Sequence, residues 1–161
     1  MALILVPTPA GWDTLLMERA QRPNDPWSGH ISLPGGRREN YDRDRLDTAI
    51  RETWEETGVR LQRTDLIAAL DDLQPRTPTY PNISVRPFVF ALPKKPKVRP
   101  GPEAVSCFWV NLRSLMQKAG IATVQIADRP AQVPAFRIGK RLVWGITYRI
   151  LDGLLRIGAG D

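Results

Sequence analysis

The stretch "GRRENYDRDRLDTAIRETWEETGV", Gly36 to Val59, decides the fold. Leu46, Ala49, Ile50, Thr53 and Trp54 recur at i, i+3, i+4, i+7 and i+8, which predicts a helix with one buried stripe. Asp42 or Asp44 can cap its start, and Gly58 suits the left-handed residue that ends it. Glu52, Glu55 and Glu56 share a second face, offset from the stripe, so their carboxylates are expected to point away from the core. Close like charges repel along a helix. Two readings follow. The glutamates form a solvated face held by an Arg51–Glu55 pair one turn apart, or they hold a divalent cation. Hard oxygen ligands suit Mg²⁺ or Mn²⁺, and such ions serve phosphoryl chemistry, with a carboxylate taking the proton of an attacking water. Upstream, "SLPGGR" places Gly35 and Gly36 where the backbone can bend sharply and approach a ligand.

Outward from this helix, "ALILVP" and "TLLMERA" read as strands joined by the turn "TPAGWD". "QRPNDPWSGHISLPGGR" reads as a long loop of the kind that carries function. "DLIAAL", "ISVRPFVFAL" and "AVSCFWVNL" read as strands, with Pro87 marking an edge or bulge. "LRSLMQKAG" reads as a short helix closed by Gly120, "AFRIGKRLVWGIT" as a hairpin around Gly139, and "TYRILDGLLRIG" as an amphipathic helix. Strands mixed with a few helices predict an α+β fold, and the 161 residues are read as one domain, 1–161.

Composition narrows the chemistry. The net charge of +6 suits an anionic partner such as a phosphate or nucleotide. One cysteine, Cys107, leaves no disulfide within the chain, and with one histidine, His30, it cannot build a Cys/His zinc cluster. A Ser-His-Asp site would rest on His30 alone. The apolar N-terminal run is broken by Pro7 and lacks a basic flank, and no other segment spans a bilayer, so the reading is a soluble, cytoplasmic protein with no membrane partner.

The Gly36–Val59 stretch resembles the Nudix box: Gly, five residues, Glu, seven residues, then Arg-Glu-apolar-x-Glu-Glu-x-Gly-apolar. The second half matches, with Thr53 at the first apolar position. The first half carries Asp42 for Glu, and eight residues separate it from Arg51. Both departures are shared by the coenzyme A diphosphatase branch of that family. "LLMER" followed by "GHISLPGG", and "VWGIT" leading into a helix, are similar to the same branch. Its upstream signature is matched at Leu15, Leu16, Arg19, Gly29, Pro34, Gly35 and Gly36, while Met17, Ala20 and Leu33 replace its Thr, Ser and Phe, and an expected Arg falls on Asp25. These departures bear on the substrate and not on catalysis.

The resemblance implies an α/β/α sandwich with a mixed sheet between helices and hydrolysis of a diphosphate linked to another moiety. It implies Glu52 and Glu56 as metal ligands, Glu55 as a third ligand or a water-activating base, and the Gly35 or Gly36 carbonyl as a further ligand. Arg51 would hold the glutamates, and Glu103, just before the strand "AVSCFWVNL", would be an extra ligand or base. Arg19, Gly35 and Gly36 are expected at the substrate. Trp27 and Tyr80 are candidate pocket residues, Tyr80 as a stacking surface for a base, with Arg76 and Arg86 beside it. His30 reads as a loop residue, and Trp109 and Trp144 as core. The loop "KKPKVRPG" lacks interleaved aromatics, so nucleic acid is the less favoured partner. Members of the family often dimerise, so a homodimer is carried as an expectation. Three functions stand: a hydrolase of coenzyme A or a similar diphosphate, a hydrolase of ADP-ribose, dinucleotides or capped RNA, and a binding module of the same fold without activity.

Overall fold

The computed structural model describes residues 1–161 except Asn24, Pro26, 76–81, 127–128 and 160–161. Strands β1 (Ala2–Thr8) and β2 (Gly11–Arg19) form the expected hairpin, with Thr8 opposite Gly11. Side chains alternate across a strand, and β1 shows what that does here. Ala2 and Ile4 enter one apolar cluster with Leu15, Leu46, Ala49, Phe88 and Phe90. Leu3 and Leu5 enter another with Leu16, Phe136, Ile150 and Leu151. A strand covered on both faces reads as an unbroken apolar run, which accounts for "ALILV".

Among the described residues the large sheet has six strands. Besides the hairpin it contains β3 (Ile31–Ser32), β4 (Leu66–Ala69), β5 (Phe88–Ala91) and β6 (Ala104–Asn111). β1 runs parallel to β5, and every other pairing is antiparallel, so the sheet is mixed. β6 lies along one edge of β2; β1 and β3 share the other, at opposite ends. Helix α1 (Arg45–Thr57) covers the first face. Helices α2 (Leu112–Met116) and α3 (Gly145–Ala159) cover the second. This is the α/β/α sandwich expected from the sequence. Among the described residues no helix is long and apolar enough to cross a membrane.

Several expectations need correction. The long loop contains the two-residue strand β3. The fifth strand starts only at Phe88, because Pro87 has no N–H to give a ladder; its carbonyl accepts from Leu70 N at 2.9 Å, while Val85 bridges to Leu73. Gly120 does not close a helix. It lies in β7 (Ala119–Ile126), opposite Ala135 of β8 (Arg129–Ile138). Ile121, Thr123, Val124 and Ile126 are β-branched residues that favour this extended ribbon. β9 (Arg141–Trp144) completes a second, three-stranded sheet, of which the sequence showed only the hairpin at Gly139.

Candidate active site

The glycine turn after β3 meets the C-terminal half of α1. Ala2 N donates to Pro34 O at 2.8 Å and pins the turn against the start of β1. Gly35 has φ 145°, a region that favours glycine. Gly36 presses on the helix: a β-carbon there would fall 2.5 Å from the Glu52 carboxyl carbon. Gly35 N donates to Glu56 Oε2 at 2.8 Å. Thus the two glycines expected near a ligand lie directly against Glu52 and Glu56.

The three glutamates are not equivalent. Glu56 is 2% exposed, which overturns the expectation that all three point away from the core. The reason is helical phase. Leu46, Ala49, Thr53 and Glu56 follow at steps of three and four and form the buried stripe. Trp54, placed on that stripe from the sequence, is 46% exposed, and the Arg60 guanidinium stands 4.4 Å from its ring centroid. Burial pushes the Glu56 carboxyl up to about 8; repulsion from Glu52 adds to this, and the Gly35 N–H opposes it. Glu52 is raised in the same direction, first by burial, with Arg51 opposing and Glu55 and Glu103 reinforcing. Glu55 is half exposed and accepts from Arg51 Nη1 at 3.0 Å, as its spacing indicated.

Arg51 does more than hold Glu55. Its Nε and Nη2 donate to the two oxygens of Asp42 at 3.0 and 2.9 Å, Nη1 also donates to Glu52 Oε1 at 2.8 Å, and Nη2 to Arg37 O at 3.1 Å. Asp42 is buried and also accepts from Thr48 Oγ1 and Glu39 N, both at 2.9 Å. The Arg51 guanidinium holds the Asp42 carboxyl far below the usual carboxylate range. Asp42 is therefore not the helix cap. Asp44 is, accepting from Asp47 N at 2.8 Å. The role of Asp42 as Arg51's main partner was not read from the sequence, although its place in the box pattern marked the position.

The other candidate side chains have partners of their own. Arg19, at the end of β2, donates to Asp25 Oδ2 at 2.8 Å. Arg22 Nη1 donates to Glu103 Oε1 at 3.0 Å. Trp27 is half-buried in the loop, its N–H bonded to Asp25 Oδ1 at 3.0 Å. His30 packs its ring 4.7 Å from that of Trp144, and burial lowers its pKa, so it behaves as the loop residue expected. Trp109 and Trp144 are half-buried, not fully in the core. Arg86 is tied to Asp72 at 2.5 Å. Tyr80 and Arg76 lie outside the described residues. In the basic loop, Lys95 pairs with Asp13 at 2.5 Å and stands over the Trp109 ring.

Does this arrangement fit a divalent ion? Among the described residues, no group of three or more His, Cys, Asp and Glu side chains stands as a ready-made cage. Mg²⁺ does not need one; it keeps waters and uses one or two carboxylates plus substrate phosphates. Glu52 and Glu56 supply such a pair at the glycine turn, and both resist ionisation first because they are buried. A bound cation would offset that cost.

A family model described as NUDIX domain matches residues 2–128. An uncharacterised protein of Schizosaccharomyces pombe is 36% identical over 117 residues, covering 70% of this chain and 36% of that protein. An uncharacterised Nudix hydrolase of Photorhabdus laumondii, NudL, is 26% identical over 144 residues, 88% of this chain and 75% of the relative. Among solved structures, a MutT/nudix family protein from Enterococcus faecalis superposes with a TM-score of 0.65 at 16% identity, over 98% of this chain and 60% of that one. A bifunctional NMN adenylyltransferase/ADP ribose pyrophosphatase from Francisella tularensis, complexed with AMP and a Mn ion, gives 0.64 at 21% identity, over 97% and 40% of the chains. An Ap4A hydrolase of C. elegans gives 0.56 at 21% identity, over 72% and 81%. The chain thus spans just over a third of the length of the S. pombe relative.

Proposed function

The chain belongs to the NUDIX family, and from that premise we propose that it is a divalent-metal-dependent pyrophosphohydrolase of a nucleoside diphosphate linked to another moiety. The observation that carries this is Glu56: a carboxylate buried at the negative end of a helix, turned onto a glycine backbone beside a second carboxylate. A fold gains no stability from such an arrangement without a cation.

Glu52 and Glu56 would hold Mg²⁺ or Mn²⁺, with Glu55 and the Gly36 carbonyl as further ligands. When bound, the ion offsets charge on the diphosphate and lowers the pKa of water. Glu55 or Glu103 accepts the proton as the water oxygen attacks phosphorus and the anhydride P–O bond breaks, leaving two phosphate monoesters. Arg51 keeps Glu52 and Glu55 in place against their mutual repulsion. Arg19, Trp27, Gly35 and Tyr80 are assigned to the substrate side.

Coenzyme A, or an acyl-coenzyme A-like diphosphate, is the favoured substrate, on the strength of Asp42, the longer spacer and the "GHISLPGG" segment. A second reading, ADP-ribose or a dinucleotide, draws on the likeness to the Francisella ADP ribose pyrophosphatase and the C. elegans Ap4A hydrolase. We take residues 1–161 as one working unit that acts on a small nucleotide in the cytoplasm, as a monomer or a homodimer. The test is hydrolysis of a panel of coenzyme A, ADP-ribose and dinucleoside polyphosphates with Mg²⁺ or Mn²⁺, by wild type and Glu56→Gln. Cleavage of coenzyme A that Glu56→Gln abolishes supports the reading. Cleavage of ADP-ribose alone moves the substrate, and tight binding without any hydrolysis leaves a binding module.

A further inference from the structure

α1 ends against a distant part of the chain. A helix leaves its last carbonyls without internal partners. Here Trp54 O accepts from Gly58 N at 2.9 Å, Glu56 O from Gly101 N at 2.9 Å and Thr57 O from Arg99 N at 2.8 Å. The segment 99–101 therefore caps the helix from outside. The approach is closest at Gly101, where a β-carbon would fall 1.9 Å from Glu55 O. Only glycine allows the backbones to come so near.

Gly101 also opens the turn that carries Glu103. Ala104 N donates to Gly101 O at 3.1 Å, and Glu103 O accepts from Ala20 N at 2.9 Å. Ala104 then enters β6 opposite Arg19, at the register shift between Glu18 and Arg19. The Glu103 side chain is held at 3.0 Å by Arg22, whose own backbone is clasped by Ser28: Arg22 N donates to Ser28 Oγ, and Ser28 Oγ donates to Arg22 O, each at 2.9 Å. Glu103 thus follows by two residues the backbone that abuts Glu55 O and caps Glu56 O.

We propose that Gly101 and Arg22 are positioning residues that clamp Glu103, by backbone and by side chain, against the catalytic turn of α1. The inference rests on the hydrolase reading and assigns the two contacts that would fix its outer carboxylate. Neither residue need touch the reacting atoms. Displacing Glu103 by even an ångström would slow turnover while leaving binding nearly intact.

The experiment is a double-mutant cycle on the full chain. Gly101→Ala is expected to lower kcat about tenfold, and Arg22→Gln about threefold, each with KM within about twofold of wild type. On a Glu103→Gln background neither should lower kcat further. Amide hydrogen exchange supplies a readout that needs no turnover: in Gly101→Ala the Ala20 amide should exchange at least about tenfold faster, while the amides of α1 keep their protection. Penalties that multiply with Glu103→Gln, loss of protection within α1, or a Glu103→Gln enzyme with wild-type kcat would each overturn the clamp. If Gly101→Ala does not fold, Arg22→Gln decides alone, because its side chain is half exposed. A wild type that cleaves nothing on the panel sinks the hydrolase reading, and the exchange data still report whether Gly101 fixes the turn.

Discussion

The two ends of α1 carry the same chemistry under opposite electrostatics. At the N-terminus, Asp44 and Asp47 face the positive end of the helix dipole. Arg63 pairs with both, at 2.5 Å from Asp44, and Arg43 pairs with Asp47 at 2.6 Å. The Arg63 guanidinium, with the Asp47 N–H, lowers the Asp44 carboxyl to about 2. At the C-terminus, Glu52, Glu55 and Glu56 face the negative end, with Arg51 shared among Glu52, Glu55 and Asp42. There the carboxyls of Glu52 and Glu56 are raised. Carboxylates with lowered pKa stabilise the fold; carboxylates with raised pKa are held in place at its expense. On the proposed function, the difference separates a structural acid from a functional one within one helix.

Each prediction probes this contrast. The largest effect is expected from Glu56→Gln, which should reduce hydrolysis about 10³-fold in a steady-state assay. The same variant should melt higher than wild type at pH 8 without metal, because the buried carboxylate is replaced by a neutral amide. An enzyme that loses activity and stability together would erase the contrast.

Next comes Arg51→Met, which strands Asp42 with its side chain 3% exposed. Removing one partner of a buried pair costs about 3 kcal/mol, measurable by denaturant unfolding, and activity should fall with it.

A smaller effect is expected from pH. The Glu56 carboxyl rises from 4.5 unfolded to about 8 folded. The folded state therefore binds more protons between those values, and stability present below the lower one is lost as pH rises through the upper. Without metal, Tm should fall from pH 5 to pH 8.5; saturating Mn²⁺ should flatten the slope, because the ion binds the ionised form. A metal-free Tm that climbs over this range would show that the carboxylate ionises without penalty.

The smallest is Asp44→Ala. Loss of the cap should cost about 1 kcal/mol by thermal unfolding and leave kcat unchanged. A fall in kcat would mean that the structural end of the helix reaches into the catalysis.

Much of the site was legible in the chain because its key residues are close in sequence. Glu52, Glu55, Glu56, Arg51 and Gly58 lie on one helix whose phase the apolar residues announce, and Gly35–Gly36 precede it within one connection. What failed was finer. Trp54 was placed on the stripe although it is 46% exposed, since aromatic bulk outweighs small buried residues in any hydrophobic count, whereas Ile50 does pack against the core. Glu56, charged, could not be read as buried for the same reason. β7 escaped notice because most of its residues are exposed and its pattern is weak.

The sequence by itself determined the acidic helix, its glycine C-cap, the hairpin before it and the family pattern, because these depend on spacing along one element and on local backbone freedom. Tertiary structure alone decided which glutamate is buried, that Asp42 grips Arg51, that Gly101 lies against the end of α1 and that Arg22 pairs with Glu103. Those outcomes depend on segments as far apart as Arg22 and Glu103 meeting in space, and burial, which sets the charge state of Glu56, exists only once they have met.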